Sequence, residues 1–146
     1  MHNPPSPFKC RHTSQMPELL HQLNCSIAIS TYQAGKVVFI SSFDGKKISQ
    51  LPRNFEKAMG IAEDESKDKL AVACRDEVIV FKNSKGLADY YPNSPNKYDA
   101  LYVPRATYYT GSVDIHDLHF GSGNTLFAIN TLFSCIVRID EEYNFT

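Results

Sequence analysis

Met59-Gly60-Ile61-Ala62, Leu70-Ala71-Val72-Ala73 and Val78-Ile79-Val80-Phe81 recur in the same order as His116-Asp117-Leu118-His119, Leu126-Phe127-Ala128-Ile129 and Ile136-Val137-Arg138-Ile139. The copies stand 57, 56 and 58 residues apart. Each run is short, apolar and rich in β-formers, and turn chemistry such as Ser66-Lys67-Asp68 or Gly121-Ser122-Gly123 separates it from the next. Each copy therefore reads as antiparallel strands joined by tight turns. Small antiparallel sheets repeated along a chain are the signature of a β-propeller. A β-sandwich also uses short strands, but it does not require the repetition.

Outward from this pair, the segment 26–51 resembles a further copy without its first strand. The full reading places strands at 26–31, 36–42, 47–51, 60–64, 69–74, 77–82, 114–120, 125–130 and 135–140. Gln33-Ala34-Gly35 and Asp44-Gly45 supply turns, and the extra length between copies lies in a Pro, Asn and Tyr-rich stretch, 84–102. Ahead of the strands, Ser14 precedes Pro17 and Glu18, and Met16, Leu19, Leu20 and Leu23 recur at helical spacing up to a stop at Asn24. The expectation is an all-β chain with one short N-terminal helix, organised as an extension over 1–13 and an incomplete propeller over 14–146. At about 40 to 57 residues per blade the chain encodes about two and a half blades, whereas a closed ring needs at least about four. Three readings follow: missing C-terminal blades, self-association, or a partner chain that completes the ring.

The chain has 146 residues, and 15 basic against 16 acidic side chains leave a net charge of -1, which argues against a nucleic-acid partner. The composition, 42% hydrophobic and 21% charged, is that of an ordinary globular domain. Its longest apolar runs, Val37-Val38-Phe39-Ile40 and Val78-Ile79-Val80-Phe81, are far too short to span a membrane. The opening Met1-His2-Asn3-Pro4-Pro5-Ser6-Pro7 has no signal-peptide pattern, and Cys10, Cys25, Cys74 and Cys135 are widely spaced. A cytoplasmic protein is expected, with Cys25, Cys74 and Cys135 as small buried hydrophobes.

In a propeller, the loop between the second and third strands of a blade shares a rim with the entry to its first strand. That rule groups Tyr32-Gln33-Ala34-Gly35, Cys74-Arg75-Asp76 and Asn130-Thr131-Leu132-Phe133-Ser134 with the entries Phe55-Glu56-Lys57-Ala58 and Thr110-Gly111-Ser112-Val113-Asp114. The rim collects Gln33, Arg75, Asp114, His116 and Asn130, polar groups of the kind that orient a ligand. The structural alternative is that such side chains satisfy exposed backbone in the connecting loops. Strand alternation puts Asp114 and His116 on one side and Asp117 and His119 on the other, so His-x-x-His here is not a chelating pair and no metal is assigned to it. His116 beside Asp114 has the composition of a general base held in one tautomer, of one ligand of a metal completed by blades missing here, or of a histidine bonded to neighbouring backbone. No nucleophile elbow, phosphate loop or His-Glu-x-x-His occurs, and no cofactor is indicated.

The ordered series Cys10-Arg11-His12, Ser30-Thr31-Tyr32-Gln33-Ala34-Gly35-Lys36, Ala58-Met59-Gly60-Ile61-Ala62, Val103-Pro104-Arg105, Thr110-Gly111, Asp114-Ile115-His116-Asp117 and Asn130-Thr131-Leu132-Phe133-Ser134-Cys135 resembles an uncharacterised bacterial family. That family is a domain of unknown function, with some members associated with tetratricopeptide repeats. The resemblance implies a β-propeller-like fold, a cytoplasmic setting and further blades with a His-Leu-Asn-Gly motif absent here. It carries over no catalytic residue. The favoured expectation is a scaffold that binds a protein, peptide or glycan through the rim. The alternative is a lyase, lactonase or epimerase acting on a small polar ligand, with His116 and Asp114 as its acid and base.

Overall fold

The short apolar runs fold into antiparallel strands, some alternating a buried side with an exposed one and the run 70–73 buried on both, and their turns bring neighbours together. The computed structural model describes residues 10–92 and 95–143. It gives a helix α1 (Met16–Gln22), then β1 (Ile27–Thr31), β2 (Lys36–Ser41), β3 (Ser49–Asn54), β4 (Ile61–Glu63), β5 (Lys69–Ala73) and β6 (Glu77–Asn83). A one-turn helix α2 (Lys85–Ala88) precedes β7 (Tyr102–Tyr109), β8 (Ile115–Phe120), β9 (Leu126–Asn130) and β10 (Cys135–Ile139). The strands make three sheets, in the orders β1-β2-β3, β4-β5-β6-β7 and β8-β9-β10. The expectation of an all-β fold with one short leading helix holds, and the two copies of the repeat lie in different sheets. Among the described residues no helix is long and apolar enough to cross a membrane.

The chain divides into two units, one of residues 1–27 and 39–51 and the other of 28–38 and 52–146. In the first, α1 carries Pro17 and Glu18 in its opening turn, and Asn24, at φ +47°, ends the helical run. Its other part is a turn in which Asp44 Oδ1 accepts from the amides of Lys46 (2.8 Å) and Lys47 (2.9 Å). Gly45 adopts φ +68° there, against the His21 ring.

In the second unit one apolar cluster binds the β4–β7 sheet to the β8–β10 sheet. The first contributes Ala62, Ala71, Ala73 and Val78; the second contributes Ile115, Leu118, Phe120, Leu126, Ala128, Val137 and Ile139. Small side chains thus face large ones, which lets two pleated surfaces approach without voids. The approach is closest at Gly60, where an added Cβ would lie 2.9 Å from the Asp117 backbone.

The structure departs from the sequence reading at several points. Strand β7 falls in and beyond the stretch expected as a connection, and β3 runs to Asn54 instead of ending at Leu51. Both contain a proline, Pro104 and Pro52, and both are edge strands, where a missing N–H costs no ladder bond. Pro104 lies opposite Phe81 beside a register shift. Cys25 is exposed, not buried, while Cys74 is buried and Cys135 is half-buried. Residues 140–143 form a turn closed by Asp140, and 144–146 lie outside the described residues. So do residues 1–9 of the expected extension.

At the ends of β4 and β5 away from Gly60, the hairpin is organised by Asp64. Its Oδ1 accepts from the amides of Asp68 (2.7 Å) and Lys69 (2.6 Å), and its Oδ2 from the Ser66 hydroxyl (2.5 Å). Burial alone would raise this carboxyl, but the Ser66 hydroxyl and the two amides outweigh it and hold the group below its ordinary value.

Two substitutions test this packing. Gly60→Ala presses a methyl onto backbone that cannot rotate away, and is expected to cost about 1–3 kcal/mol in denaturant melts. Asp64→Ala is expected to cost about 1–3 kcal/mol near neutral pH. A carboxyl lowered in the folded state stabilises above its unfolded pKa and loses that contribution as pH falls through the folded value. The gap between wild type and Asp64→Ala should therefore close below about pH 4.

Candidate functional site

A chain of backbone hydrogen bonds ties the loops at one set of strand ends to one another. The Phe55 amide donates to Gly35 (2.9 Å), and the Arg75 amide donates to Glu56 (2.9 Å). The Thr110 and Gly111 amides donate to Asp76 (2.9 and 3.1 Å), and the Thr131 amide donates to Asp114 (3.2 Å). Each bond links a strand-connecting hairpin to the entry of a neighbouring strand, so the loops grouped by the propeller rule do lie along one edge of the second unit.

The sequence-selected residues stand on this edge in different states. Gln33 is exposed in the turn after β1. Arg75 is exposed and its Nη1 lies 2.8 Å from Glu56 Oε1, an ion pair that sequence reasoning did not select. Glu56 precedes no motif; its only sequence signal is that it belongs to the blade entry expected on this rim. Nearby, Lys57 Nζ sits 5.4 Å from the centroid of the Tyr32 ring.

Asp114 takes φ +50° and its carbonyl accepts from the Thr131 amide and from Thr131 Oγ1 at 2.7 Å. Its contribution to the edge is thus made through backbone. The β8–β9 register shifts between Ile115 and Asp117, which makes His116 the extra residue of a bulge. In consequence His116 and Asp117 are both exposed between buried Ile115 and Leu118, and the simple alternation expected for Asp114-Ile115-His116-Asp117 does not occur. Among the described residues no hydrogen bond or ion pair joins the Asp114 side chain to His116. No group of three His, Cys, Asp or Glu side chains gathers there either.

Asn130 is the buried member of the set, with no accessible surface. Its Oδ1 accepts from the Phe133 amide at 3.1 Å and so closes the β9–β10 turn. Its Nδ2 is buried without a partner, a rare condition for a buried donor. Asn130 lines a shallow depression of about 300 Å³ together with Ile129, Thr131, Ser134, Cys135 and Ile136. Cys74, at the β5–β6 turn, is pushed up to about 12, chiefly by burial and then by the carboxylates of Glu77, Asp76 and Glu56. It stays protonated at neutral pH and is no nucleophile.

The family described as "Domain of unknown function (DUF4915)" matches residues 14–146. The chain belongs to this family. No curated protein and no solved structure matches it. Within DUF4915, therefore, the edge just described is read from its own chemistry.

His116 and Asn130 separate surface from structure. His116→Ala is expected to change stability by no more than about 0.5 kcal/mol, since an exposed bulge residue without partners loses little. Asn130→Ala removes a buried acceptor that closes the β9–β10 turn and is expected to cost about 1–2 kcal/mol. Paired thermal melts read both, and the reverse ranking would overturn this assignment.

Proposed function

We propose that this chain is part of a β-propeller, each sheet a blade, and that its hydrogen-bonded edge is a rim that binds a protein or peptide. The propeller reading rests on the repeat and on the face-to-face packing of successive repeats through Ala62, Ala71 and Ala73 against Leu118 and Leu126. The observation that carries the binding reading is how the edge satisfies itself. Its loops are fixed by backbone, so Gln33, Asp114 and His116 make no side-chain hydrogen bond among the described residues and face solvent. The Arg75–Glu56 pair is exposed and screened by water, so a ligand carboxylate can replace Glu56 at the guanidinium without a large penalty. A peptide presents such a carboxylate on an acidic side chain or at its C-terminus.

The enzymatic alternative needs Asp114 to orient His116, and no observation favours it over binding.

Selection of a displayed random-peptide library on the whole chain tests the proposal. Recovered peptides should bind Arg75→Ala and Gln33→Ala at least about tenfold more weakly, with Lys85→Ala, on the exposed one-turn helix, unchanged. Peptides indifferent to the rim substitutions, or no enrichment at all, would overturn the reading.

A further inference from the structure

Three rim loops meet around Arg75. Tyr32 comes from the β1–β2 turn, Glu56 and Lys57 from the entry to β4, and Arg75 and Asp76 from the β5–β6 turn. Main-chain bonds set their spacing. The Gly35 amide donates to Tyr32 (3.3 Å), the Phe55 amide to Gly35 (2.9 Å) and the Arg75 amide to Glu56 (2.9 Å). On this frame Arg75 Nη1 donates to Glu56 Oε1 at 2.8 Å. Lys57, at φ +51°, sets its ammonium 5.4 Å from the centroid of the Tyr32 ring. Two consecutive residues thus send their side chains to two different receivers, a carboxylate to a guanidinium and an ammonium to an aromatic face.

Both contacts are replaceable. The Arg75 and Glu56 side chains are 52% and 66% exposed, and Tyr32 is 43% exposed, so each contact competes with water. The main-chain bonds between the loops do not depend on either. The guanidinium is held above its ordinary value chiefly by its hydrogen bond to Glu56 and then by the Glu56 charge. Asp76 and the Tyr32 phenol add smaller contributions, which puts Tyr32 within electrostatic reach of Arg75. Lys57 and Arg75 stand against Glu56 and Asp76, so the local charge is balanced. A phosphate would meet as many carboxylates as cations here, whereas a ligand with one charge of each sign finds a counterpart for both.

We infer that Glu56 and Lys57 are internal stand-ins for the ligand, and that the peptide bound at this rim carries adjacent acidic and basic residues. Its carboxylate replaces Glu56 on Arg75, and its cation replaces Lys57 on the Tyr32 ring. The inference rests on the peptide-binding reading of the rim and makes Lys57 a competitor of the ligand instead of a contact to it.

Chemical-shift titration of the whole chain with the capped hexapeptide Gly-Ser-Glu-Lys-Ser-Gly tests it, since this readout reaches millimolar affinities. Replacing either charged residue of the peptide by Gln should weaken binding at least about threefold. Arg75→Gln and Tyr32→Leu should do the same, with circular dichroism confirming the fold; should Tyr32→Leu unfold, the peptide lacking its Lys tests the same contact. Glu56→Gln and Lys57→Gln, which empty the two receivers, should tighten binding about two- to fivefold. Weaker binding by Lys57→Gln would mean that Lys57 itself holds an acidic ligand, and overturns the inference. So does a peptide without its Lys that binds as well as the parent; if that binding still needs Arg75, the rim reading stands. Failure of the hexapeptide alongside Arg75-dependent binding of library peptides without adjacent opposite charges overturns this inference alone, and failure of both overturns the rim reading with it.

Discussion

The distance between β4 and β8 is the constraint on which the rest of the second unit depends. Gly60 lies against the Asp117 backbone so closely that a single methyl would collide with it. That contact is productive only because Ala62, Ala71 and Ala73 keep one sheet surface low, while Ile115, Leu118, Phe120 and Leu126 fill the space from the other. Larger residues on the alanine side would push the sheets apart.

The strands are legible because their signal is redundant: three runs, each with apolar side chains at matching positions, cannot shift register without exposing a core face. The same redundancy locates the hydrogen-bonded loops between them. What the sequence hid were features that break a period. Pro52 and Pro104 interrupt apolar alternation, so the pattern ends the third strand at Leu51 and marks no strand over 103–109, although an edge position tolerates both prolines. The bulge at His116 inserts one residue without any distinctive composition, and it undoes the pairing with Asp114 that strict alternation implies. Asn130 was selected as a surface ligand group yet is fully buried, since a polar residue at a hairpin end serves equally to cap the turn.

The two sets of strand ends use polar residues in opposite ways, and this asymmetry separates scaffold from surface. At the far ends from the rim, side chains bond to the protein itself. Asp64 holds its hairpin, Asn83 donates to the Lys67 carbonyl at 3.2 Å and accepts from the Leu101 amide at 3.1 Å, and the Tyr102 hydroxyl donates to Glu63 at 2.7 Å. Burial and the adjoining Glu63 carboxylate push the Tyr102 hydroxyl well above its ordinary value, so it remains a donor. These ends must be self-sufficient because side chains make the turns there. At the opposite ends the bonds between loops are mostly main-chain, as from Phe55 to Gly35, Arg75 to Glu56 and Thr110 to Asp76, while Thr31 and Asn130 each close their own turn through a side chain. Gln33 and His116 hold no turn with their side chains, so replacing them is expected to cost the fold little.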